Sequence, residues 1–173
     1  KQPDPSVEAG RHDLQEQIRV RLAKMNIKQQ KVIAFYYFEG LRSMVDEEKH
    51  PNIKLMAFIS RMDAAYSAAD LIVSRAGALS VSELCLVGKP IILVPSPNVS
   101  EDHQTKNALS LVNHEAALLV KDADAQKELI MKATNLLVDQ EKSLVLSKNI
   151  LSLARPNATS EIVNESESII ANE

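Results

Sequence analysis

The sequence predicts an α/β fold: a Rossmann-like, doubly wound parallel sheet. Three observations lead there. Short apolar runs alternate with helical patterns along most of the chain. Residues 71–74 (LIVS) and 90–95 (PIILVP) are continuous apolar runs rather than alternating ones, as in strands covered on both faces. The 173 residues, 45% hydrophobic and 25% charged, suit one globular domain with a single good core.

The elements follow in order. Residues 1–9 (KQPDPSVEA) hold two prolines and read as an irregular lead-in. Leu14, Ile18, Leu22 and Met25 recur at helical spacing and predict a helix over 11–25. Strands are predicted at 31–35 (KVIAF), 53–58 (IKLMAF), 71–74, 90–95 and 116–120 (AALLV). Crossover helices are predicted at 61–69, 78–87, 102–113 and 124–138. Two more helices, 141–153 and 158–171, follow with no strand between them. In such sheets ligands sit beyond the carboxyl ends of the strands, so the loops after Ser74, Pro95 and Val120 are the places to look for chemistry.

Composition excludes several functions. Twenty basic against twenty-three acidic residues give a net charge of −3, which leaves no basic excess to neutralise nucleic-acid phosphates. Aromatics make up 3% and tryptophan is absent, against a stacking platform for single strands. No apolar run approaches the ~20 residues of a membrane span, and the polar start KQPDPSVEAG does not read as a signal peptide. A lone cysteine, Cys85, rules out an internal disulfide and a multi-cysteine zinc site; a reducing, intracellular setting is the natural reading.

The most informative stretch is Ser74-Arg75-Ala76-Gly77-Ala78-Leu79-Ser80-Val81-Ser82-Glu83. A buried strand ends at Ser74, small residues follow, and a helix is predicted to begin near Leu79 or Ser80. Gly88 stands where a C-terminal cap belongs, two residues ahead of Pro90. A helix opening directly after a strand aims free backbone N–H groups at the ligand crevice, where a phosphate fits. A structural reading competes: Ser80-x-x-Glu83 is a capping box, in which both side chains serve the helix itself. Neither GxxxxGK[ST] nor GxGxxG occurs.

SRAGALSVSELCLVGKPIILVPSP, followed by EDHQTKNA, closely resembles the C-terminal half of the MurG family of bacterial transferases. The likeness runs from FISRMDAAYSAADLIV upstream to ARPNATSEIVNE downstream, roughly residues 36–164. It implies the second, donor-nucleotide half of a GT-B fold. It implies an enzyme that moves GlcNAc from UDP-GlcNAc to undecaprenyl-pyrophosphoryl-MurNAc-pentapeptide, turning lipid I into lipid II for peptidoglycan. The resemblance also implies roles. Ile59 contacts uracil, mainly through its backbone. Ala78, Leu79, Ser80, Val81 and Ser82 line the helix start that holds the diphosphate. Glu83 takes the ribose hydroxyls and Gln104 the GlcNAc hydroxyls. Arg75 and Gly77 are further candidates. No metal or other cofactor is implied. Glu83 cannot fully serve ribose and cap together, so the ribose role goes to the liganded state and the cap to the unliganded one.

The resemblance is partial. A two-domain enzyme of this kind needs about twice this length. The acceptor domain, its GTGGH-type loop and the expected catalytic base are missing, so no catalytic residue is assigned in this chain. Where the family carries a GGSxGA-type loop, this chain reads PSVEAGRHDL. Residues 1–35 are therefore an atypical lead-in with the first helix and strand, and residues 36–173 the UDP-GlcNAc-binding domain with its C-terminal helices. The implied partners are UDP-GlcNAc and an acceptor domain or subunit carrying the lipid-linked substrate. The implied location is cytoplasmic, peripheral to the inner face of the cell membrane. Half a site of this kind is expected to be inactive alone. Two other readings stay open: the soluble donor-binding subunit of a split lipid-linked GlcNAc transferase, and a non-catalytic nucleotide-sugar-binding module.

Other residues have plainer readings. Asp122-Ala123-Asp124 has the D-x-D pattern of metal-dependent transferases, but it lies between a strand and a helix, where Asp is an ordinary N-cap. His103 reads as positional, and His12, His50 and His114 as surface or cap residues. Cys85 falls on the apolar helix stripe and reads as core. The helical tail from residue 141 is expected to leave an apolar stripe bare.

Overall fold

A computed structural model describes residues 33–35, 56, 58–99 and 102–171. Four strands form one parallel sheet in the order β1-β2-β3-β4: Ile33–Phe35, Leu71–Ser74, Ile91–Leu93 and Leu118–Leu119. Ile33 lies opposite Leu71, Ile72 opposite Ile91, and Ile92 opposite Leu118. The helices are α1 (Met62–Ala68), α2 (Ala78–Val87), α3 (His103–Asn113), α4 (Ala125–Val138), α5 (Gln140–Ser152) and α6 (Ala158–Ala171). A 3-10 turn, Asp122–Asp124, leads into α4.

The continuous apolar runs are the central strands, and β2 and β3 are buried along their whole length. Alternate side chains face opposite layers. Ile72, Ile91 and Leu93 pack with Tyr66, Leu84, Cys85, Ala108 and Leu111, from α1, α2 and α3. Leu71, Val73, Ile92 and Val94 pack with Leu129, Ala133, Leu136 and Leu137 of α4 on the other side. Helices thus cover both faces, as a doubly wound sheet requires. Helix α5 joins the two layers, with Ile150 in the first and Leu146 in the second. Cys85 is core, as expected, and burial pushes its thiol pKa up.

The predicted boundaries shift for identifiable reasons. Pro90 and Pro95 flank β3 and have no N–H for a ladder; pairing still reaches past the strand through the Ile72 N–H to the Pro90 carbonyl (3.0 Å) and the Val94 N–H to the Ser74 carbonyl (2.9 Å). Strand β4 is shorter than 116–120 because the end of α3 claims Ala116. Glu115 sits in the left-handed region (φ 51), and the Ala116 N–H bonds the Leu111 carbonyl at 2.9 Å while the Glu115 N–H bonds that of Val112 at 2.9 Å. Those two bonds are a Schellman closure. His114 is the C-cap, in line with its sequence reading. Gly88 closes α2 at φ 66, as its position predicted. Met56 and Phe58, the described residues of the run 53–58, carry no strand assignment. The helix at 11–25, His12 and His50 lie outside the described residues.

Helices 61–69, 78–87, 102–113, 124–138, 141–153 and 158–171 all appear within a residue or so of prediction. Helix α6 leaves Ile162, Val163, Ile169 and Ile170 exposed, the bare stripe expected of the tail. Among the described residues, no helix is long and apolar enough to cross a membrane.

Candidate functional site

The site lies at the carboxyl ends of β2, β3 and β4, where three loops meet. Ser74 ends β2 almost fully buried and donates its hydroxyl to the Arg75 carbonyl at 2.8 Å. Ala76 follows with no exposed surface. Gly77 is extended (φ −64, ψ 148) and is the N-cap of α2. A glycine has no side chain to cap with, so no side chain closes this helix start. The first helical bond runs from the Val81 N–H to the Gly77 carbonyl at 2.9 Å. The N–H groups of Ala78, Leu79 and Ser80 precede it and are the donors a helix cannot satisfy internally. Leu79 is 88% exposed, so this turn faces outward. It is the electropositive end of a ten-residue helix.

The capping box is not formed, a correction to the competing sequence reading. The helix begins at Ala78 rather than near Ser80, so Ser80 is already inside it. Glu83 consequently points elsewhere. Its Oε2 accepts the Tyr66 hydroxyl at 3.0 Å. The Ser82 hydroxyl turns back to the Ala78 carbonyl at 3.0 Å. Val81 uses its N–H within the helix and packs its side chain on the core. Ile59 is half-buried just ahead of α1.

Gln104 occupies the first turn of α3 and is half-buried. Its Oε1 accepts two backbone N–H groups, from Ala76 at 3.3 Å and Ser96 at 2.9 Å. The loop after β2 and the loop after β3 are thereby tied to one oxygen. With Oε1 committed, the side chain offers its Nε2 amide as the donor for anything bound beside it. Asn107 completes the arrangement by donating Nδ2 to the Ala76 carbonyl at 3.0 Å.

Arg75 reaches the third loop. Its Nη1 donates to the Val94 carbonyl at 3.1 Å and pairs with Asp122 Oδ1, both side chains partly buried. Asp122 is therefore a loop-holding partner rather than a cap. Asp124 is N-cap of α4 by position but makes no side-chain cap bond, which corrects the reading of the D-x-D pair. Among the described residues, no group of three or more His, Cys, Asp or Glu is placed to hold a metal ion.

The structure thus brings Ala78, Leu79, Ser80, Ser82 and Glu83 onto one helix start and sets Gln104 across the loop from it. Sequence reasoning did not single out Tyr66 or Asn107. Asn107 had a signal: it lies three residues beyond Gln104 on a predicted helix, hence on the same face. Tyr66 had a weaker one, as the lone aromatic in MDAAYSA.

The family described as the glycosyltransferase family 28 C-terminal domain matches residues 8–162. The UDP-N-acetylglucosamine–N-acetylmuramyl-(pentapeptide) pyrophosphoryl-undecaprenol N-acetylglucosamine transferase of Cytophaga hutchinsonii is 57% identical over 130 residues, 75% of this chain and 34% of that protein. The protein of the same name from Parabacteroides distasonis is 50% identical over 135 residues, 78% of this chain and 37% of that one. The crystal structure of Acinetobacter baumannii MurG is similar with a TM-score of 0.66 at 27% identity, over 87% of this chain and 45% of that chain. This chain spans about a third of the length of the curated relatives it matches. Its sheet is the Rossmann-like C-terminal half of a GT-B fold. With a match covering most of its length, the chain belongs to the glycosyltransferase family 28 C-terminal domain family.

Proposed function

We propose that this chain is the donor-binding part of a MurG-like hexosyltransferase that takes GlcNAc from UDP-GlcNAc. The acceptor is lipid-linked, undecaprenyl-pyrophosphoryl-MurNAc-pentapeptide, and the product belongs to peptidoglycan synthesis. The observation that supports this reading is the uncapped start of α2 at Gly77, opening straight from the buried strand β2 and facing Gln104. As the bond from sugar to diphosphate breaks, negative charge develops on UDP. The N–H groups of Ala78, Leu79 and Ser80, with the dipole of α2 behind them, are placed to stabilise it. Gly77 lets the chain approach closely there, and Arg75 braces the loop. Val81 and Ser82 support the turn from within. The Glu83 carboxylate accepts the vicinal ribose hydroxyls, Gln104 Nε2 donates to a sugar hydroxyl, and Ile59 contacts uracil.

Residues 36–173 form the donor-binding domain in this reading, and residues 1–35 lead into it. The catalytic base and the acceptor site belong to a separate domain or subunit, and the assembled enzyme works at the inner face of the cell membrane as a peripheral protein. Calorimetric titration with UDP and UDP-GlcNAc tests the donor site. Binding at millimolar concentration or tighter, about −4 kcal/mol or better, is expected. Absence of heat at millimolar ligand refutes it. Mixing the chain with a MurG acceptor domain and assaying lipid II formation separates a transferase part from a module that only binds the nucleotide sugar.

A further inference from the structure

Tyr66 lies on α1 within the core cluster that also holds Ala69, Leu84 and Cys85, with only 9% of its surface exposed. Its hydroxyl donates to Glu83 Oε2 at 3.0 Å in a partly buried bond. Glu83 itself is exposed on the second turn of α2. An exposed glutamate has three rotatable bonds and loses side-chain entropy when held in one rotamer. The Tyr66 hydroxyl favours one rotamer, because its place is set by a buried residue rather than by solvent. A hydrogen bond to a carboxylate is also stronger than one between neutral groups.

We propose that Tyr66 is a positioning residue for the ribose-binding carboxylate. It holds Glu83 by one oxygen and leaves the other to accept from a vicinal diol. The pair also bridges α1 to α2, so the core beneath the nucleotide fixes the reach of the group that reads the ribose. This inference rests on the proposal that Glu83 takes the ribose hydroxyls. It adds a specificity consequence: the preference for a ribonucleotide over its 2′-deoxy analogue depends on a hydroxyl that never touches the ligand.

The test is calorimetric titration of UDP and 2′-deoxy-UDP into the chain and into Tyr66→Phe, Glu83→Ala and the double variant. Tyr66→Phe keeps the ring and removes the hydroxyl alone. It is expected to weaken UDP binding roughly three- to tenfold, to narrow the preference for UDP over 2′-deoxy-UDP, and to have no further effect once Glu83 is Ala. The preference is a ratio, so it does not depend on how much of the variant is folded. Should Glu83→Ala leave UDP affinity unchanged, the ribose reading falls and the positioning role falls with it. Should Glu83→Ala weaken UDP while Tyr66→Phe moves neither affinity nor preference, the positioning role alone is overturned. An equal loss from Tyr66→Phe with and without Glu83 overturns it as well.

Discussion

Asn107 holds Ala76 by its carbonyl at 3.0 Å, while Gln104, one turn earlier on α3, holds the same residue by its N–H at 3.3 Å. Ala76 has no exposed surface, so neither of its backbone groups has water as an alternative partner. Replacing Asn107 with Ala strands that carbonyl. A loss of about 1–3 kcal/mol in unfolding free energy is expected, read by denaturant titration. UDP binding should weaken more than uridine binding, because the disturbed peptide leads directly into the N–H groups proposed to hold the diphosphate. Equal weakening of both ligands would contradict a specific tie between Asn107 and the start of α2.

Gln104 has two separable duties. Its oxygen joins two loops, and its amide nitrogen is the donor proposed for the sugar. Gln104→Glu keeps an acceptor for the Ala76 and Ser96 N–H groups and removes the donors. It should melt near the parent temperature while losing most of the preference for UDP-GlcNAc over UDP. Gln104→Leu removes the oxygen too and should cost about 1–3 kcal/mol of stability. A Glu variant that retains the sugar preference would refute the donor role.

The partly buried pair between Arg75 and Asp122 joins the loop after β2 to the turn ahead of α4. Asp122→Asn should lower stability by about 1 kcal/mol, and the difference should shrink as salt rises. Since Asp122 is occupied by the guanidinium, UDP affinity should be the same with EDTA as with added magnesium. Strict dependence on a divalent ion would return the D-x-D pair to the site.

Two left-handed residues make opposite backbone predictions. Gly88 has φ 66, and a Cβ there would meet Leu151 Cδ1 at 3.2 Å. Gly88→Ala should destabilise by more than about 1 kcal/mol. Glu115 adopts φ 51 with a side chain that disfavours it, so Glu115→Gly should stabilise by about 0.5–1 kcal/mol. Thermal melts of the two variants should move in opposite directions.

Most of the fold was legible because the strongest signals are local. LIVS and PIILVP read as buried strands from composition alone, and Gly88 marked the end of α2 by its place before Pro90. The span 78–87 was legible, but Ser80-x-x-Glu83 also fits the capping pattern and suggested a start near Leu79 or Ser80; the extended Gly77 caps the helix instead and leaves Ser80 inside it. The stretch proposed to face the nucleotide, AGALSVSE, stood out in the sequence. Its supports were not. Tyr66 and Glu83 are 17 positions apart, Ala76 and Asn107 are 31, and Arg75 and Asp122 are 47. Such pairs exist only once the sheet brings its loops together, and no spacing rule reaches that far.

Because each strand pairs in parallel with the next in sequence, the two margins of the sheet divide the labour. One margin carries every residue proposed to meet ligand. The other carries the returns at residues 69–70, 88–90 and 114–117, whose work is mechanical. If the proposed site holds, inherited change along that quiet margin costs folding alone, while recognition is settled on the opposite side.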